Sequence, residues 1–210
     1  MVTRNLAPGS RVYGETLIKS AGEEYRYWEP NRSKLAAVIL RGMKPSCIPI
    51  KPGSVILYLG AGSGTTPSHI SDIIGEEGIV FCIESSPRST RDLVATSHLR
   101  PNMIPILADA RHPRSYSSLV TQVDAIYCDV AQPEQAKLLN NNASWFLKSD
   151  GQIMLAIKAR SIDVTMEPSQ VFKREINKMS PHFIICDRHN LRPYHKDHVM
   201  VSAKFSEHTK

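Results

Sequence analysis

Glycine occupies every second position in one short segment of this chain, directly after an apolar run. Gly60, Gly62 and Gly64 lack a Cβ atom, so a ligand can lie against the main chain there. The dinucleotide fingerprint requires GxGxxG, whereas this segment reads GxGxG and continues with Thr65 and Thr66. N–H groups at the start of the following helix would favour an anion such as a carboxylate. The pattern therefore favours S-adenosylmethionine as the cofactor, and the alternative is a strand-to-helix turn that binds nothing.

Polar residues stand at the ends of the next four apolar runs. Glu84 follows the glycine-rich segment of residues 60–64, called the glycine loop below, at the spacing at which an acid accepts hydrogen bonds from ribose hydroxyls. Asp109, with Ala110 beside it, suits an adenine amino group, and Asp129 and Lys158 come next. Ligands of such sheets bind at the carboxyl ends of the strands, so these residues should converge on one site. Each of them alone could be a capping or solvated residue.

A carboxylate and an amine on successive strand ends can prepare a hydroxyl group for nucleophilic attack. Asp129 would hold the geometry while Lys158 takes a proton from a ribose 2′-hydroxyl. For Lys158 alone, an ordinary ion pair is the competing interpretation.

Apolar runs alternate with longer amphipathic segments from residue 53 onward, which is typical of βα units around a mainly parallel sheet. The predicted strands span residues 55–59, 79–83, 103–107, 124–128, 151–157, 182–187 and 198–205. The predicted helices span residues 66–74, 88–99, 132–146 and 168–178. Few residues separate the last two strands, so they should pair as an antiparallel hairpin. The sequence therefore predicts an α/β fold, a Rossmann-like class I methyltransferase with seven mostly parallel strands and an antiparallel last strand.

The first 50 residues differ from this pattern and predict a small amino-terminal β-rich domain. Two short runs flank Gly14 and Glu15, which indicates a hairpin, and a helix is expected from Ser33 to Arg41. The chain is thus divided into a small domain over residues 1–50 and an S-adenosylmethionine-dependent methyltransferase domain over residues 51–210.

The chain has 210 residues and a formal net charge of +6, which fits one catalytic domain and a polyanionic partner. No apolar run approaches the roughly 20 residues of a membrane helix, and the first residues show no apolar signal core. An intracellular protein without a membrane partner is therefore expected. The four cysteines are scattered without a CxxC pair, so we expect them to be reduced, with neither a zinc site nor a disulfide.

Several longer motifs resemble the fibrillarin family, the RNA 2′-O-methyltransferases of box C/D ribonucleoproteins, and especially its archaeal members. The motifs are the glycine loop with both threonines and residues 8–15 (PGSRVYGE), 25–37 (YRYWEPNRSKLAA), 83–88 (IESSPR), 129–133 (DVAQP), 157–165 (IKARSIDVT) and 197–198 (DH). The resemblance implies a catalytic group made of Lys34, Asp129, Lys158 and His198, without a metal. It also implies that the cofactor is bound by Gly60, Gly62, Thr65, Thr66, Glu84, Ser85, Asp109, Ala110, Asp129, Val130, Ala131 and Gln132.

By this resemblance the chain is the catalytic subunit of a box C/D ribonucleoprotein that methylates ribose 2′-hydroxyls in ribosomal or transfer RNA. The sequence contains no RRM or KH pattern. Target choice would therefore come from a box C/D guide RNA, held by a Nop-domain scaffold protein and a kink-turn-binding ribosomal-type protein. No glycine and arginine-rich region accompanies the motifs, which favours an archaeal protein of the cytoplasm. Two other classes stay open, namely a methyltransferase for other substrates and a non-catalytic RNA-binding or assembly subunit.

Three departures from the family pattern lie in or near these motifs. Ser85 stands where an aromatic residue is usual, and Gly62 replaces a common alanine. Glu29 and Asn31 flank Pro30 where a polar amide and an aromatic residue are usual. Because Ser85 has no ring, stacking on the cofactor from that position is not expected.

Overall fold

The computed structural model describes residues 1–179 and 183–206, and within them the chain forms two β-sheets. In chain order the elements are β1 (Val2–Arg4), β2 (Leu17–Ser20), β3 (Glu23–Tyr27), α1 (Lys34–Leu40), β4 (Val55–Leu59), α2 (Thr65–Ile74), β5 (Ile79–Glu84), α3 (Pro87–Ser97), β6 (Met103–Leu107), β7 (Val123–Cys128), α4 (Gln135–Phe146), β8 (Leu147–Lys158), α5 (Ala159–Ile162), α6 (Pro168–Met179), β9 (Phe183–Asn190) and β10 (His198–Phe205). Short 3-10 helices at Pro45–Cys47 and Pro113–Tyr116 lie in the connections.

The large sheet has seven strands in the order β6-β5-β4-β7-β8-β10-β9. Strands β4 to β8 pair in parallel with their neighbours, and β10 pairs antiparallel with both β8 and β9. The winding direction reverses between β4 and β7, which is where ligands bind in such sheets. This arrangement confirms the predicted fold class and the antiparallel hairpin. The strand predicted over residues 182–187 has its first residue outside the described residues.

Apolar side chains cover both faces of the large sheet. Leu57 and Leu155 belong to the core on one face, whereas their neighbours Ile56 and Met154 belong to the core on the other. This alternation is expected for a sheet that is buried on both sides. Helix α1 contributes Leu35 to the second core, so a helix of the predicted small domain packs on the large sheet. The boundary at residue 50 stays a prediction. In the described part of the chain, no helix is long and apolar enough to cross a membrane.

The small sheet has the order β1-β3-β2, and its strands pair antiparallel. The hairpin lies between β2 and β3, where Ala21 and Gly22 both have positive φ. The hairpin predicted around Gly14 and Glu15 is therefore wrong. The Glu15 carboxylate instead accepts a hydrogen bond from the main-chain N–H of Val12, which closes a turn there without a strand pair.

A buried ionic network holds the small sheet against α2. Arg26 of β3 pairs with Glu15 at 2.6 Å and with Asp72 of α2 at 3.0 Å. Arg100 also pairs with Asp72, and it donates to Asn5 Oδ1 at 2.8 Å. The four charged side chains are at most 1% exposed, so each charge depends on its partners to offset the cost of leaving water.

His69 of α2 is a neutral member of the same buried region. Its Nδ1 lies 2.7 Å from Thr3 Oγ1, and its Nε2 lies 2.8 Å from the Tyr13 hydroxyl. Thr3 can also donate to the Asp72 carboxylate, and Tyr13 can also donate to the Tyr27 carbonyl, so a neutral imidazole donates to one of these two hydroxyls and accepts from the other. Burial, with Arg26 and a second buried arginine nearby, lowers the pKa of His69 to about 2.

Acidification from pH 7 to pH 5 is expected to lower the free energy of unfolding by about 2 kcal/mol through His69 alone. The unfolded imidazole takes up a proton below about pH 6.5, whereas the folded one, with its pKa of about 2, does not. The contribution of neutral His69 to stability is therefore complete above about pH 6.5, and it is lost progressively as the pH falls from there toward the folded pKa. Urea unfolding at both pH values measures the loss. The loss should be smaller by this amount in His69→Gln, and an equal loss in both proteins would contradict the assignment.

Cys47 and Cys186 form a disulfide bond, so the expectation that all four cysteines are reduced is wrong. The bond joins the 3-10 helix after α1 to the edge strand β9, across a sequence separation of 139. Ser202 also donates to the Cys47 carbonyl at 2.6 Å, which fixes the same junction. Cys82 and Cys128 are free and buried. A search for closely spaced cysteines cannot find such a pair, because the fold alone brings its members together.

Candidate cofactor and catalytic site

The glycine loop connects the end of β4 to the start of α2. Gly60, Gly62 and Gly64 have positive φ values of 83°, 58° and 99°, which L side chains rarely adopt. A Cβ on Gly60 would lie 2.8 Å from the carbonyl oxygen of Asp129, so only glycine lets the chain after β4 approach the chain after β7 this closely. A Cβ on Gly62 would meet nothing within 4 Å, so the alanine common in the resembled family has room there.

A cavity of about 250 Å³ lies over this loop at the carboxyl ends of the parallel strands. It is lined by Gly60, Gly62, Ile83, Glu84, Ser85, Ala108, Asp109, Ala110, Asp129, Val130, Ala131, Gln132, Leu138 and Lys158. All residues predicted to bind the cofactor are in this lining except Thr65 and Thr66. Thr66 is buried below the loop, where its hydroxyl donates to Ser33 Oγ at 3.0 Å.

Three apolar residues of the lining, Ile83, Ala108 and Leu138, were missed by the sequence interpretation. Ile83 and Ala108 come directly before Glu84 and Asp109, so their places beside two predicted ligands were a usable signal. Leu138 lies in the first turns of α4, and nothing in its sequence surroundings marks it. Apolar walls with a few convergent polar groups are typical of small-molecule and cofactor sites.

Two carboxylates are fixed at the cavity wall by hydrogen bonds. Glu84 accepts from the main-chain N–H groups of Gly62 and Ser86, both at 2.8 Å. Asp109 accepts from the main-chain N–H and from Nε of Arg111, both at 2.9 Å. Hydrogen bonds from the Arg111 side chain hold the pKa of Asp109 below its usual range. Each carboxylate oxygen has two lone pairs, so both groups can also accept from a bound ligand.

Asp129 lies between two lysines. Its Oδ1 is 3.1 Å from Lys34 Nζ and 2.8 Å from Lys158 Nζ. Lys158 Nζ also donates to the main-chain carbonyl of Asp129 at 2.9 Å. The three side chains are 12% to 16% exposed, so their charges interact in partly desolvated surroundings but can still meet a substrate.

Three elements position these side chains. Lys34 is the first residue of α1, directly after its N-cap Ser33. Asp129 directly follows β7. Lys158 is the last residue of β8, and its N–H donates to the buried side chain of Gln135 at 3.0 Å. The fold thus closes a separation of 95 residues between Lys34 and Asp129.

His198 completes the predicted catalytic group. It is the first residue of β10 and lies opposite Lys158 in the pairing of β10 with β8. Its Nδ1 is 2.6 Å from the Lys196 carbonyl, which only accepts, so Nδ1 carries the hydrogen and Nε2 is left as an acceptor. Burial, together with the charges of Lys34 and Lys158, lowers the pKa of His198, so the imidazole is neutral at pH 7. Among the described residues, no three His, Cys, Asp or Glu side chains are grouped so that they could hold a metal ion.

The strand order, the glycine loop and the carboxylates at successive strand ends define a Rossmann-like protein of the class I methyltransferase fold. The sequence model of the family Fibrillarin matches residues 1–207. The chain therefore belongs to the fibrillarin family, which confirms the resemblance drawn from its motifs.

Similar proteins are found among curated sequences and among solved structures. The fibrillarin-like rRNA/tRNA 2′-O-methyltransferase of Pyrococcus furiosus is 56% identical over 204 residues, which cover 97% of this chain and 89% of the relative. Aeropyrum pernix fibrillarin in complex with natively bound S-adenosyl-L-methionine has a TM-score of 0.90 at 51% identity, over 96% of this chain and 87% of that one. A fibrillarin/Nop5p complex has a TM-score of 0.88 at 42% identity, over 95% and 92% of the two chains.

Proposed function

We propose that this chain transfers the methyl group of S-adenosylmethionine to the 2′-oxygen of a ribose in ribosomal or transfer RNA. The observation that carries the proposal is the position of Asp129 between Lys34 and Lys158, at the wall of the cofactor cavity. The name of the relative from Pyrococcus furiosus supports the same reaction.

The residues of the cavity fit the cofactor by their chemistry. Glu84 offers carboxylate acceptors to the ribose hydroxyls of the cofactor, and Asp109 offers them to its adenine amino group. The apolar walls fit the adenine ring, with further contacts from Ser85, Ala110 and residues 130–132. Thr65 and Thr66 would act through main-chain N–H groups at the start of α2. When bound, S-adenosylmethionine supplies an electrophilic methyl group on a positively charged sulfur.

The catalytic group prepares the ribose oxygen. Lys158 lowers the proton affinity of the 2′-hydroxyl or removes its proton, and Asp129 holds both lysines in place while its charge favours the sulfonium. Lys34 and His198 position the ribose and its phosphate. Because His198 is neutral with Nε2 as an acceptor, it can take a hydrogen bond from a ribose hydroxyl.

Target choice is assigned to partners outside this chain. The solved fibrillarin/Nop5p complex supports a Nop-domain scaffold as one partner. A box C/D guide RNA and a kink-turn-binding protein are the finer part of the proposal, and so is a place in the archaeal cytoplasm. On this proposal the isolated chain binds the cofactor but methylates free RNA poorly.

A calorimetric titration of the chain with S-adenosylmethionine distinguishes a methyltransferase from a non-catalytic assembly subunit. Saturable binding at one site is expected, and no binding would favour the silent subunit. A methyltransferase for small molecules or proteins would bind the cofactor as well, but it would not need the Lys34, Asp129, Lys158 and His198 group.

Gly60→Ala is expected to weaken S-adenosylmethionine binding about tenfold or more, because the new Cβ forces the glycine loop away from Asp129. The matched control is Gly42→Ala. Gly42 has a similar φ of 88°, but a Cβ there meets nothing within 4 Å, so it reports the backbone strain alone. Calorimetric titration of both variants measures the difference, and equal cofactor affinities would contradict the prediction.

A further inference from the structure

A groove of about 590 Å³ runs between α6 and β9, at the edge of the large sheet next to the catalytic group. Lys173 of α6 and Arg188 of β9 give it positive charge, and Phe172 gives it an aromatic wall. None of its described lining residues carries a carboxylate. In the part of the chain that the structure describes, no ion pair or hydrogen bond engages the Lys173 ammonium or the Arg188 guanidinium, and only the main-chain N–H of Arg188 donates to a side chain, that of Asp187. Two uncompensated cations beside a ring are typical of surfaces that track a nucleic acid strand.

A pair of guanidinium groups stands where this groove meets the catalytic group. Arg160 Nε lies 3.3 Å from Asp197 Oδ2, and Arg192 Nη2 lies 3.2 Å from Asp197 Oδ1. The two side chains are 49% and 60% exposed, so part of each guanidinium group faces solvent. Asp197 itself has a φ of +56°, a left-handed conformation that is uncommon outside glycine. The Asp197 carboxylate thus holds two arginines side by side, and the backbone of Asp197 adopts an uncommon conformation to do so.

The arginine pair lies between the catalytic group and the groove, next to the ends of β8 and β9 and the start of β10. The Asp197 carbonyl accepts from the main-chain N–H of Ala159, so the pair is fixed directly beside Lys158 and His198. Val199, the residue after His198, lines the groove. Because consecutive strand residues point to opposite faces of a sheet, the route from His198 to the groove passes around the start of β10 from one face to the other. Asn190 lines it too and accepts from the N–H of Arg192 at 2.9 Å, which joins the two parts.

We propose that the arginine pair and the groove form the path of the RNA strand that carries the target ribose. Arg160 and Arg192 hold the phosphate next to the reacting ribose, and Lys173 and Arg188 hold phosphates further along the strand. The inference rests on the proposed function, because it assumes that the acceptor at His198 is RNA. It adds to that function the direction in which the acceptor strand leaves the site and the side chains that bind its backbone.

The decisive variant is the double substitution Lys173→Gln and Arg188→Gln. Arg160 is unsuitable as the first choice because its Nη1 also donates to the Val164 carbonyl at 2.8 Å and so supports the chain itself. The matched control is Arg4→Gln with Lys19→Gln, which removes the same charge from the exposed side of the small sheet. Arg192→Gln tests the arginine pair separately.

Two measurements are made on each protein. The first is the affinity of the purified chain for a single-stranded 12-nucleotide RNA, by fluorescence anisotropy over a series of salt concentrations. The second is KM for target RNA in the complex assembled with guide RNA and partner proteins. Each lost phosphate contact should weaken binding about fivefold near 0.1 M salt and reduce the slope of log affinity against log salt by about 0.7. S-adenosylmethionine affinity should not change.

The groove variant should therefore lose about 25-fold in RNA affinity and about 1.4 in salt slope, while the control variant stays close to the wild type. RNA affinity and KM equal to those of the control would overturn the proposal. Weaker association with a partner protein at unchanged RNA affinity would also overturn it and assign the groove to that protein. If the groove variant loses RNA affinity but the wild-type complex transfers no methyl group, the groove stands and the proposed reaction fails.

Discussion

Asp129→Asn should slow methyl transfer about 10³-fold while the protein stays folded. Asp129 is the shared partner of Lys34 and Lys158, and its removal leaves two ammonium groups facing each other without the charge that orients them. The amide is similar in size to the carboxylate, so the local packing is kept. The substitution removes only the negative charge, to which we assign two roles, the orientation of both lysines and the stabilisation of the sulfonium.

The control for this substitution is Asp124→Asn, at the opposite end of the same strand. Asp124 also pairs with a lysine, since its Oδ1 lies 2.6 Å from Lys148 Nζ, but both side chains are far more exposed. Single-turnover methylation with saturating cofactor gives the rate of both variants, and circular dichroism with thermal unfolding verifies the fold. Full activity in the Asp129 variant would remove this residue from the mechanism. A rate loss in the Asp124 variant as large as that at Asp129 would show that any acid on β7 matters equally.

Arg26→Met should lower the free energy of unfolding by about 3–5 kcal/mol. The guanidinium of Arg26 is fully buried and contacts two carboxylates, Glu15 and Asp72. Methionine fills a similar volume but leaves Glu15 without its cation, and Asp72 is left with Arg100 alone among these pairs. The cost comes mainly from the stranded buried charge, because a paired ion in the interior contributes little beyond its own desolvation.

Urea unfolding of Arg26→Met and of Arg4→Met measures this effect against a control. Arg4 also forms an ion pair, at 3.2 Å to Glu23, but its side chain is 70% exposed. An exposed pair of this kind is worth about 1 kcal/mol at most. Similar losses in the two variants would mean that the network does not hold the small sheet to α2.

The large sheet was predictable because its strands are continuous apolar runs bounded by turn residues. The predicted bounds of β4, β6 and β10 coincide with the observed ones. Strand β3, with the sequence EEYRY, was missed because three of its five residues are charged and only Arg26, one of these three, is buried. Its pairing depends on the buried ionic network, and such a network has no signature in a local window of sequence.

The cofactor cavity and the catalytic group also differ in how far the local sequence predicts them. The glycine loop, Glu84 and Asp109 are local features that follow from the spacing of loop and strand ends, and the structure places them in one cavity. Lys34 and His198 come from a helix start and from an antiparallel strand, and only the family resemblance marked them. The groove at Lys173 and Arg188 was invisible in the sequence because the two residues approach each other only through the packing of α6 beside β9.

We propose that this chain methylates a ribose 2′-oxygen chosen by a guide RNA. The most direct test assembles the chain with a box C/D guide RNA, a Nop-domain scaffold and a kink-turn-binding protein. S-adenosylmethionine with a labelled methyl group is added, and the modified nucleotide is mapped. We expect the label on one ribose 2′-oxygen of the paired target, and we expect it to move when the guide sequence is changed. Label on a base or on protein, or efficient methylation of free RNA by the chain alone, would contradict the account.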